Sequence, residues 1–427
     1  MRVLHIITGL GVGGAEQQLR LLLRQLPVEC DVVTLTNPGP VADGLRADGI
    51  SVTHLGMRGN RDLAALPRLV RLIRRGRYDL VHTHLYRACV YGRIAARLAG
   101  VRATVATEHS LGARYIEGRP LTRSARALYL RTERLGSATV AVSATVADRL
   151  RGWGVPASRL HVVPNGIDGA RFRHDPRVRA ATRELLGIPA DAFVVGGVGR
   201  LVPGKRFDLL VRAVAALPEV RLLLAGDGPE REALRTLAGQ LGAGDRIHLI
   251  GECDALPDGL SDALPDGRPD VLSGGSHTGP PAGPTAGPHA GTTAGPPSGP
   301  TARPTVPAVL DAADVFVSAS DEESFGLAVV EALAAGLPVL YAVCPALDDL
   351  SAGPVPGAVR VPGGAAEIEA ALRHQLSLGA RRLAPPAVVG HYDIARSAAG
   401  LLGVYARTVA AAPAVPRVRR PFVTPVP

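Results

Sequence analysis

Short apolar segments alternate with helical segments along most of this 427-residue chain. Strands that are apolar along their whole length and are separated by helices predict parallel sheets covered by helices on both faces. The first helix is predicted over 15–26, where leucines recur at helical spacing. The strands predicted in the first part are 3–7, 31–36, 51–55, 79–85, 103–109, 138–143 and 160–164.

The same alternation begins again after residue 190, which predicts a second α/β unit. We therefore expect two Rossmann-like parallel-sheet domains, with an N-terminal domain over 1–170 and a C-terminal domain over 171–390. A further helix is expected within 391–411 and a flexible Pro-rich tail over 412–427. The second set of strands is 192–200, 220–228, 246–252, 313–320 and 337–343.

Residues 253–308 break this pattern, because their centre repeats Gly, Pro, Thr and Ala. Such a composition buries too little apolar surface to offset the entropy of ordering. We interpret the segment as a disordered low-complexity insertion in the second domain.

The basic charge is concentrated in the first part of the chain, where residues 1–180 carry 28 Arg, no Lys and 13 acidic side chains. This excess fits either a solvated Arg-rich surface or an anionic partner, such as a membrane face or a phosphorylated substrate. Nucleic acid is disfavoured as a partner, since only 4% of residues are aromatic and no nucleic-acid-binding motif occurs.

Four scattered cysteines without a CxxC pair fit free thiols in a reducing cytosol. The N-terminal apolar run is too short for a signal peptide, and no stretch approaches a membrane span. We expect a cytoplasmic protein, with the inner face of the membrane as a peripheral site.

A Gly-rich turn, TGLGVGG (8–14), joins the first predicted strand to the first helix. Gly13 and Gly14 let the backbone approach an anion at the helix N-terminus, and Glu16 lies in the first helical turn. The alternative is an ordinary strand-to-helix turn with a dipole-favoured Glu. A nicotinamide-cofactor site is disfavoured, because no clear acidic residue for the ribose follows the second strand.

The only lysine of the chain, Lys205, lies in a second turn of this kind, VGRLVPGKRF (198–207). Because every other basic residue is Arg, a purely solvated charge here would be Arg as well. Arg200 and Lys205 are spaced to bind one diphosphate, with Arg as a bidentate fork and Lys as a point charge. The turn is not a P-loop, since Arg206 replaces the Ser or Thr that binds magnesium.

Two glutamates, Glu323 and Glu331, stand eight residues apart in EESFGLAVVEALAAG (322–336). Glu323 precedes a helix that starts near Leu327, and Glu331 lies just over one turn inside it. This helix is apolar almost all round and should be buried, so a carboxylate on it needs partners, such as sugar hydroxyls. The alternative is a glutamate that escapes at an edge of the fold.

Histidines lie near the ends of predicted strands at His82, His84 and His109, and each is more often structural than functional when taken singly. His109 ends a strand where open α/β sheets bind ligands. His82 and His84 share one face of a strand, but we expect no metal site, because the sequence gives no third ligand.

Taken in order, these motifs resemble those of the GT4-type glycosyltransferases, which have the GT-B fold. The resemblance covers nearly all of 1–252 and 309–410. The motifs are GG-x-E at 13–16, His109, PNGID at 164–168, G-R-x4-K at 199–205, AGDGP at 225–229 and E-x7-E at 323–331.

The resemblance implies an N-terminal acceptor domain, a C-terminal nucleotide-sugar domain and a last helix, 391–411, that returns to the first domain. It implies that Arg200 and Lys205 bind the donor diphosphate. Glu331 would bind the ribose hydroxyls and Glu323 the donor sugar, and His109 would lie near the reacting sugar. The remaining donor contacts it implies are Gly13, Gly14, Glu16, Asn165, Gly228, Phe325, Gly326 and Leu327.

The predicted activity is sugar transfer with retention of configuration, without a cofactor or a catalytic metal. A UDP-sugar is the first expected donor and GDP-mannose the second. The acceptor is a glycan, a lipid-linked sugar or a small molecule, in cell-envelope or exopolysaccharide synthesis. Two alternatives stay open: a sugar-nucleotide epimerase or hydrolase on the same fold, and a catalytically degenerate binding protein. The segment LYAVCPALDDL (340–350) departs from the family, which has a Gly-rich turn there.

Overall fold

The computed structural model describes residues 1–59, 62–117, 119–253, 303–351 and 353–412. Most of the predicted insertion, 254–302, and of the predicted tail, 413–427, lies outside the described residues. The predicted end of the insertion at 308 is wrong, because a helix already begins at Val306. The Thr305 side chain caps this helix by accepting from the Ala308 amide, and Val309 is fully buried.

The first domain is built on a seven-stranded sheet in which all neighbouring strands are parallel, in the order β3-β2-β1-β4-β5-β8-β9. A short antiparallel hairpin, β6–β7, lies outside the sheet. The strands are β1 (Arg2–Ile7), β2 (Glu29–Thr34), β3 (Ser51–His54), β4 (Leu80–His84), β5 (Thr104–Glu108), β6 (Tyr115–Ile116), β7 (Arg119–Pro120), β8 (Ala138–Ala141) and β9 (Leu160–Val162).

Helices connect these strands and cover the sheet. Five consecutive residues of β1, Val3–Ile7, are fully buried, and all of them except His5 are apolar. The helices of this domain are α1 (Gly14–Gln25), α2 (Gly39–Ala47), α3 (Ala65–Gly76), α4 (Tyr86–Ala99), α5 (Arg123–Glu133) and α6 (Ala144–Trp153).

The second domain repeats the architecture with a six-stranded parallel sheet in the order β12-β11-β10-β13-β14-β15. Its strands are β10 (Phe193–Val198), β11 (Val220–Ala225), β12 (Ile247–Gly251), β13 (Val315–Ser318), β14 (Val339–Tyr341) and β15 (Ala358–Arg360). Its helices are α7 (Pro176–Leu185), α8 (Phe207–Ala215), α9 (Arg231–Gln240), α10 (Val306–Ala312), α11 (Leu327–Ala334), α12 (Pro345–Asp348), α13 (Ala365–Ser377) and α14 (Ala387–His391).

In the first sheet β1 lies beside β4, and in the second sheet β10 lies beside β13. On one side of each of these pairs the strands continue in one direction along the sheet, and on the other side they continue in the opposite direction, so the strand order reverses at β1/β4 and at β10/β13. The predicted fold class, two Rossmann-like parallel-sheet domains, is confirmed. In open α/β sheets, ligands bind outside the carboxyl ends of the strands at such a reversal. The fold therefore offers one crevice on each domain.

The last helix, α15 (Ile394–Ala411), packs against α1 of the first domain. Leu401, Val404 and Tyr405 lie in the same apolar cluster as Val3 and Ile7 of β1. The chain therefore ends its described part on the domain where it began.

A buried carboxylate, Asp314, joins three segments of the second domain just before β13. One oxygen accepts from the Arg179 guanidinium at 2.5 Å. The other accepts from Arg183 at 2.9 Å and from the Val194 amide at 2.8 Å. Asp314 and Arg183 are both nearly inaccessible to solvent, so each neutralises a charge that the fold has removed from water.

We predict that Asp314→Ala lowers the free energy of unfolding by about 3–5 kcal/mol, because it leaves the Arg183 guanidinium buried without its counter-ion. Urea denaturation followed by circular dichroism measures the change. The matched control is Asp43→Ala, which removes an exposed ion pair with Arg46 and should change stability by less than about 0.5 kcal/mol. Equal effects of the two variants would contradict the assigned role.

Candidate active site at the carboxyl ends of the two sheets

The Gly-rich turn after β1 faces the second domain directly. A Cβ atom placed on Gly14 would lie 3.3 Å from Leu327 Cδ1 at the start of α11. Gly13 is crowded by the Glu16 carboxylate, which folds back over it. These contacts bring the predicted anion-binding turn to the helix that carries Glu331. We call the space between this turn and the carboxyl edge of the second sheet the crevice.

Glu16 and Arg200 interact electrostatically across this junction. Burial raises the pKa of Glu16 to about 6, and the positive charge of Arg200 opposes that rise. Arg200 is exposed, and its side chain makes no hydrogen bond or ion pair with the described residues. Its guanidinium is therefore free to bind an anion in the crevice.

Lys205 and Glu323 form the closest ion pair of the crevice. The Lys205 ammonium donates from Nζ to Glu323 Oε1 at 2.5 Å, and both side chains are partly buried. Lys205 lies between β10 and α8, and Glu323 lies between β13 and α11. The reversal of strand order at β10/β13 thus brings together two residues that are 118 positions apart.

The two acidic residues before Glu323 are also engaged. Glu322 accepts from the amides of Ala113 and Arg114 of the first domain. Asp321 pairs with the Arg114 guanidinium at 3.3 Å. These contacts connect the loop after β5 to the loop after β13.

The loop before α11 is held by the segment that departs from the family pattern. Gly326 has a φ of 100°, a conformation that favours glycine, and a Cβ there would lie 2.5 Å from Cys344 Sγ. The Ala346 amide donates to the Phe325 carbonyl at 2.8 Å, and the buried Phe325 ring packs edge-on against Tyr392. The replacement sequence therefore fixes this loop through α12 rather than through a glycine turn.

Glu331 lies on the fifth residue of α11, just over one turn inside the helix, as the sequence predicts. Desolvation raises the pKa of its carboxyl group to about 7, and the charge of Arg171 works against that rise. No described residue forms a hydrogen bond or an ion pair with it. The carboxylate therefore has the unused hydrogen-bonding capacity expected of a ligand-binding group.

Asn165 and Gly228 occupy positions with visible structural reasons. Asn165 is buried just before Gly166, which packs tightly against Ile394 at the start of α15. Gly228 approaches the backbone of Leu201, where a Cβ would clash with the carbonyl. The two motifs thus lie at backbone crossings, and their contact with a ligand stays a prediction.

His109 follows β5 and is buried. Burial lowers its pKa to about 4, so the ring is neutral at pH 7. Its Nε2 lies 3.1 Å from His84 Nδ1, while its Nδ1 is buried without a hydrogen-bond partner among the described residues. His109 is therefore hydrogen-bonded to His84, a contact that their positions in the sequence do not predict.

The expectation that His82 and His84 have no third potential ligand beside them is wrong. His5 is the register partner of His82 on the adjacent strand β1, and the ligand atoms of the three rings lie within 4.8 Å of one another. The one available signal was a polar residue in the otherwise apolar strand VLHII. Most of the ring nitrogens are already used in hydrogen bonds, His84 and His82 through both of theirs.

Two sequence families match most of the chain. Residues 12–171 match Glycosyltransferase Family 4. Residues 178–263 and 299–384 match Glycosyl transferases group 1. The first match contains the Gly-rich turn and His109, and the second contains Lys205, Glu323 and Glu331.

Curated relatives carry glycosyltransferase names. The chain is 30% identical to D-inositol 3-phosphate glycosyltransferase of Salinispora arenicola over 361 residues, which cover 79% of this chain and 70% of the relative. It is 27% identical to 2-deoxystreptamine glucosyltransferase of Streptomyces kanamyceticus, over 73% of this chain and 72% of the relative.

Solved structures share the fold at low sequence identity. Anabaena HepE in complex with UDP-glucose superimposes with a TM-score of 0.74 at 20% identity, over 95% of this chain and all of that one. Sucrose-phosphate synthase of Thermosynechococcus elongatus gives a TM-score of 0.70 at 20% identity, over 96% of this chain and all of that one. Sequence matches, curated relatives and fold agree with the arrangement of motifs in the crevice: the chain belongs to the GT4-type family of glycosyltransferases with the GT-B fold.

Proposed function

We propose that this protein transfers a sugar, with retention of configuration, from a nucleoside diphosphate-sugar to an acceptor hydroxyl. The observation that carries the proposal is the Lys205–Glu323 pair at 2.5 Å, which lies at the carboxyl edge of the second sheet. One partner offers a cation to phosphate and the other offers a carboxylate to sugar hydroxyls. A nucleotide-sugar presents phosphate and sugar hydroxyls side by side, so the pair matches both parts of the donor.

The chemistry assigned to the cations is stabilisation of the leaving group. When the bond between the sugar and the diphosphate breaks, negative charge grows on the phosphate oxygens. Lys205 and Arg200 supply fixed positive charge at that point, which lowers the barrier without reorganisation. The acceptor oxygen bonds to the sugar carbon, and the proton of the acceptor hydroxyl leaves with the nucleoside diphosphate.

We propose that the reaction uses no catalytic metal. Three consecutive acidic residues of the loop before α11 already have partners: Asp321 pairs with Arg114, Glu322 accepts from two amides and Glu323 pairs with Lys205. A divalent cation would have to displace these partners. The two basic side chains, Arg200 and Lys205, provide the positive charge that a metal supplies elsewhere.

A UDP-sugar is the donor we propose first and GDP-mannose second. HepE, whose fold this chain shares, was solved with UDP-glucose. Glu331 is the proposed ligand of the ribose hydroxyls, because its carboxylate is desolvated and without a hydrogen-bond partner among the described residues. The acceptor we propose is a lipid-linked or glycan sugar of cell-envelope or exopolysaccharide synthesis.

Helix α3 supports a peripheral site on an anionic membrane at the inner face. The helix is strongly amphipathic. One face buries Ala65, Leu69 and Ile73, and the opposite face is basic. Its first turn contains no acidic residue. Arg71 and Arg75 are exposed and, with Tyr78, line a shallow depression of the surface. Among the described residues, no helix combines the length and apolarity needed to cross a membrane.

We predict that Lys205→Ala lowers kcat by about 10²–10³-fold, because an electrostatic contact to the leaving phosphate is lost. Sugar transfer from UDP-glucose and GDP-mannose to lipid-linked acceptors is measured with EDTA present. Lys205→Arg tests geometry, since it keeps the charge and changes its shape. Arg212→Ala, an exposed cation on the adjacent helix α8, is the matched control and should transfer sugar normally.

Three outcomes contradict the proposal. Wild-type turnover in a folded Lys205→Ala protein would remove the assigned role of this lysine. A requirement for added Mg²⁺ would contradict the metal-free step. Release of free sugar or of an isomerised nucleotide-sugar, with no glycoside, would instead favour a hydrolase or an epimerase.

We predict that kcat/KM for the donor rises about tenfold between pH 6 and pH 8, because Glu331 ionises near pH 7 and only the carboxylate accepts two ribose hydroxyls. Glu331→Gln should bind donor more weakly and lose this rise. Glu16 titrates nearby at about 6, so Glu16→Gln is assayed in parallel. A rise that persists in Glu331→Gln and disappears in Glu16→Gln would transfer the effect to Glu16.

We predict that replacing Arg71, Arg75 and Arg77 by Gln weakens binding to phosphatidylglycerol vesicles about a hundredfold, since each basic side chain near an anionic surface contributes about 1 kcal/mol. Co-sedimentation at low and high salt measures the affinity. The control replaces the same number of arginines on the second domain, Arg212, Arg235 and Arg360. Equal binding by both variants, or no binding by the wild type at low salt, would exclude α3 as the membrane-binding face.

A further inference from the structure

Four buried histidines lie together on one face of the first sheet, beneath α15. His5 belongs to β1, His82 and His84 belong to β4, and His109 follows β5. They share a face because His5 and His82 are register partners and side chains two residues apart point the same way. Of the four, only His109 was predicted as a site residue, because the resemblance to the GT4-type enzymes implies a histidine near the reacting sugar at this position.

Three of these rings form a continuous hydrogen-bonded chain. His109 Nε2 lies 3.1 Å from His84 Nδ1, and His84 Nε2 lies 3.0 Å from His5 Nδ1. The chain has two free ends, His109 Nδ1 and His5 Nε2, and both atoms are buried without a partner among the described residues. His82 stands outside the chain, bonded to Tyr405 at 2.6 Å and Thr107 at 2.7 Å.

All members of the chain are neutral near pH 7. Burial lowers the pKa of His5 to about 3 and that of His109 to about 4, and lowers the pKa of His84 well below its ordinary value. A neutral imidazole has one donor and one acceptor nitrogen. Two consecutive bonds between neutral rings therefore run in one direction or the other.

These two directions determine what His109 offers to a ligand. If His5 donates to His84 and His84 donates to His109, then His109 Nδ1 carries the hydrogen. If the direction is reversed, His109 Nδ1 is a bare acceptor. Whether His109 Nδ1 is a donor or an acceptor is thus set jointly by His5, His84 and His109.

The His109 end of the hydrogen-bonded histidine chain leads into the loop that borders the crevice. The loop that follows His109 contacts the second domain, where Ala113 and Arg114 donate to Glu322, and Arg149 bridges the carbonyls of Leu111 and Glu323. On the other side, the residue after His84 is backbone-strained: Leu85 has a φ of 73° and a ψ of 154°, a region that is nearly restricted to glycine. Both ends of the His84–His109 contact are therefore tightly held.

We propose that His84 and His5 are positioning residues for sugar transfer: they fix the ring and the tautomer of His109, so that Nδ1 faces the reacting sugar as a neutral hydrogen-bonding group. This rests on the proposed function of the crevice. The hydrogen-bonded histidine chain does not transfer a proton away from His109. No described residue accepts a hydrogen bond from His5 Nε2, and a transferred proton would leave a buried imidazolium.

The test compares three variants of the full-length protein. His84→Phe removes both hydrogen bonds and keeps an aromatic ring. His84→Asn retains a polar group where Nδ1 bonds His109 and loses the link to His5. His82→Phe is the matched control, since His82 is equally buried on the same strand and lies outside the chain.

We expect His84→Phe to lower kcat by about 10- to 100-fold with a donor KM within about twofold of the wild type, as for other partners that orient a functional histidine. His84→Asn should recover part of the loss. His82→Phe should lower thermal stability and leave kcat nearly unchanged. With ¹⁵N-histidine labelling, the wild type with UDP should give one His109 tautomer, and His84→Phe a mixture.

Different results separate this proposal from the proposed function. A single His109 tautomer and normal kcat in His84→Phe would overturn the positioning role, as would equal losses of kcat in His84→Phe and His82→Phe. Normal transfer by His109→Asn would instead remove His109 from the reaction. The tautomer measurement needs no turnover, so it tests the hydrogen-bonded chain even if no acceptor is found.

Discussion

Parallel strand pairing is the constraint on which the rest of this structure depends. Because every neighbouring pair in each large sheet is parallel, all strands of a sheet end at the same edge, and the loops with chemical groups collect there. The reversal of winding at β1/β4 and β10/β13 separates adjacent loops and leaves room for a ligand. This arrangement places Lys205 beside Glu323.

The sequence was sufficient to predict most of the fold, since apolar runs in buried parallel strands are easily recognised. The sequence was insufficient to predict the shortest strands and the boundary of the low-complexity segment. The edge strand β15 (Ala358–Arg360) is short and half-exposed, and the hairpin β6–β7 has two residues a side, so neither produces a periodic pattern. The start of α10 was hidden by its neighbours, because Thr305 and Pro307 resemble the preceding low-complexity segment while Val309 packs inside.

For the candidate site, the sequence predicted residues that lie around the crevice and did not predict how they pair. Lys205 and Glu323 were predicted as ligands of different parts of one donor, and nothing in the sequence placed their charged atoms within 2.5 Å. His5 was missed because a histidine in an apolar strand is unremarkable until its neighbour in the sheet is known. Pairing between strands is a long-range property, and one sequence contains no direct signal for it.

The Lys205–Glu323 pair also offers a physical reason for a lysine in a chain that otherwise uses arginine. The aliphatic part of Lys205 runs close to Gly199, whose added Cβ would lie 3.5 Å from Lys205 Cε. A planar guanidinium is wider than an ammonium and distributes its charge over a fork, so it fits poorly between this backbone and a carboxylate. Arg200 is exposed and keeps the fork. We therefore expect the two cations of this turn to differ because their surroundings differ: the partly buried position beside Gly199 favours a point charge, and the exposed one suits a bidentate group.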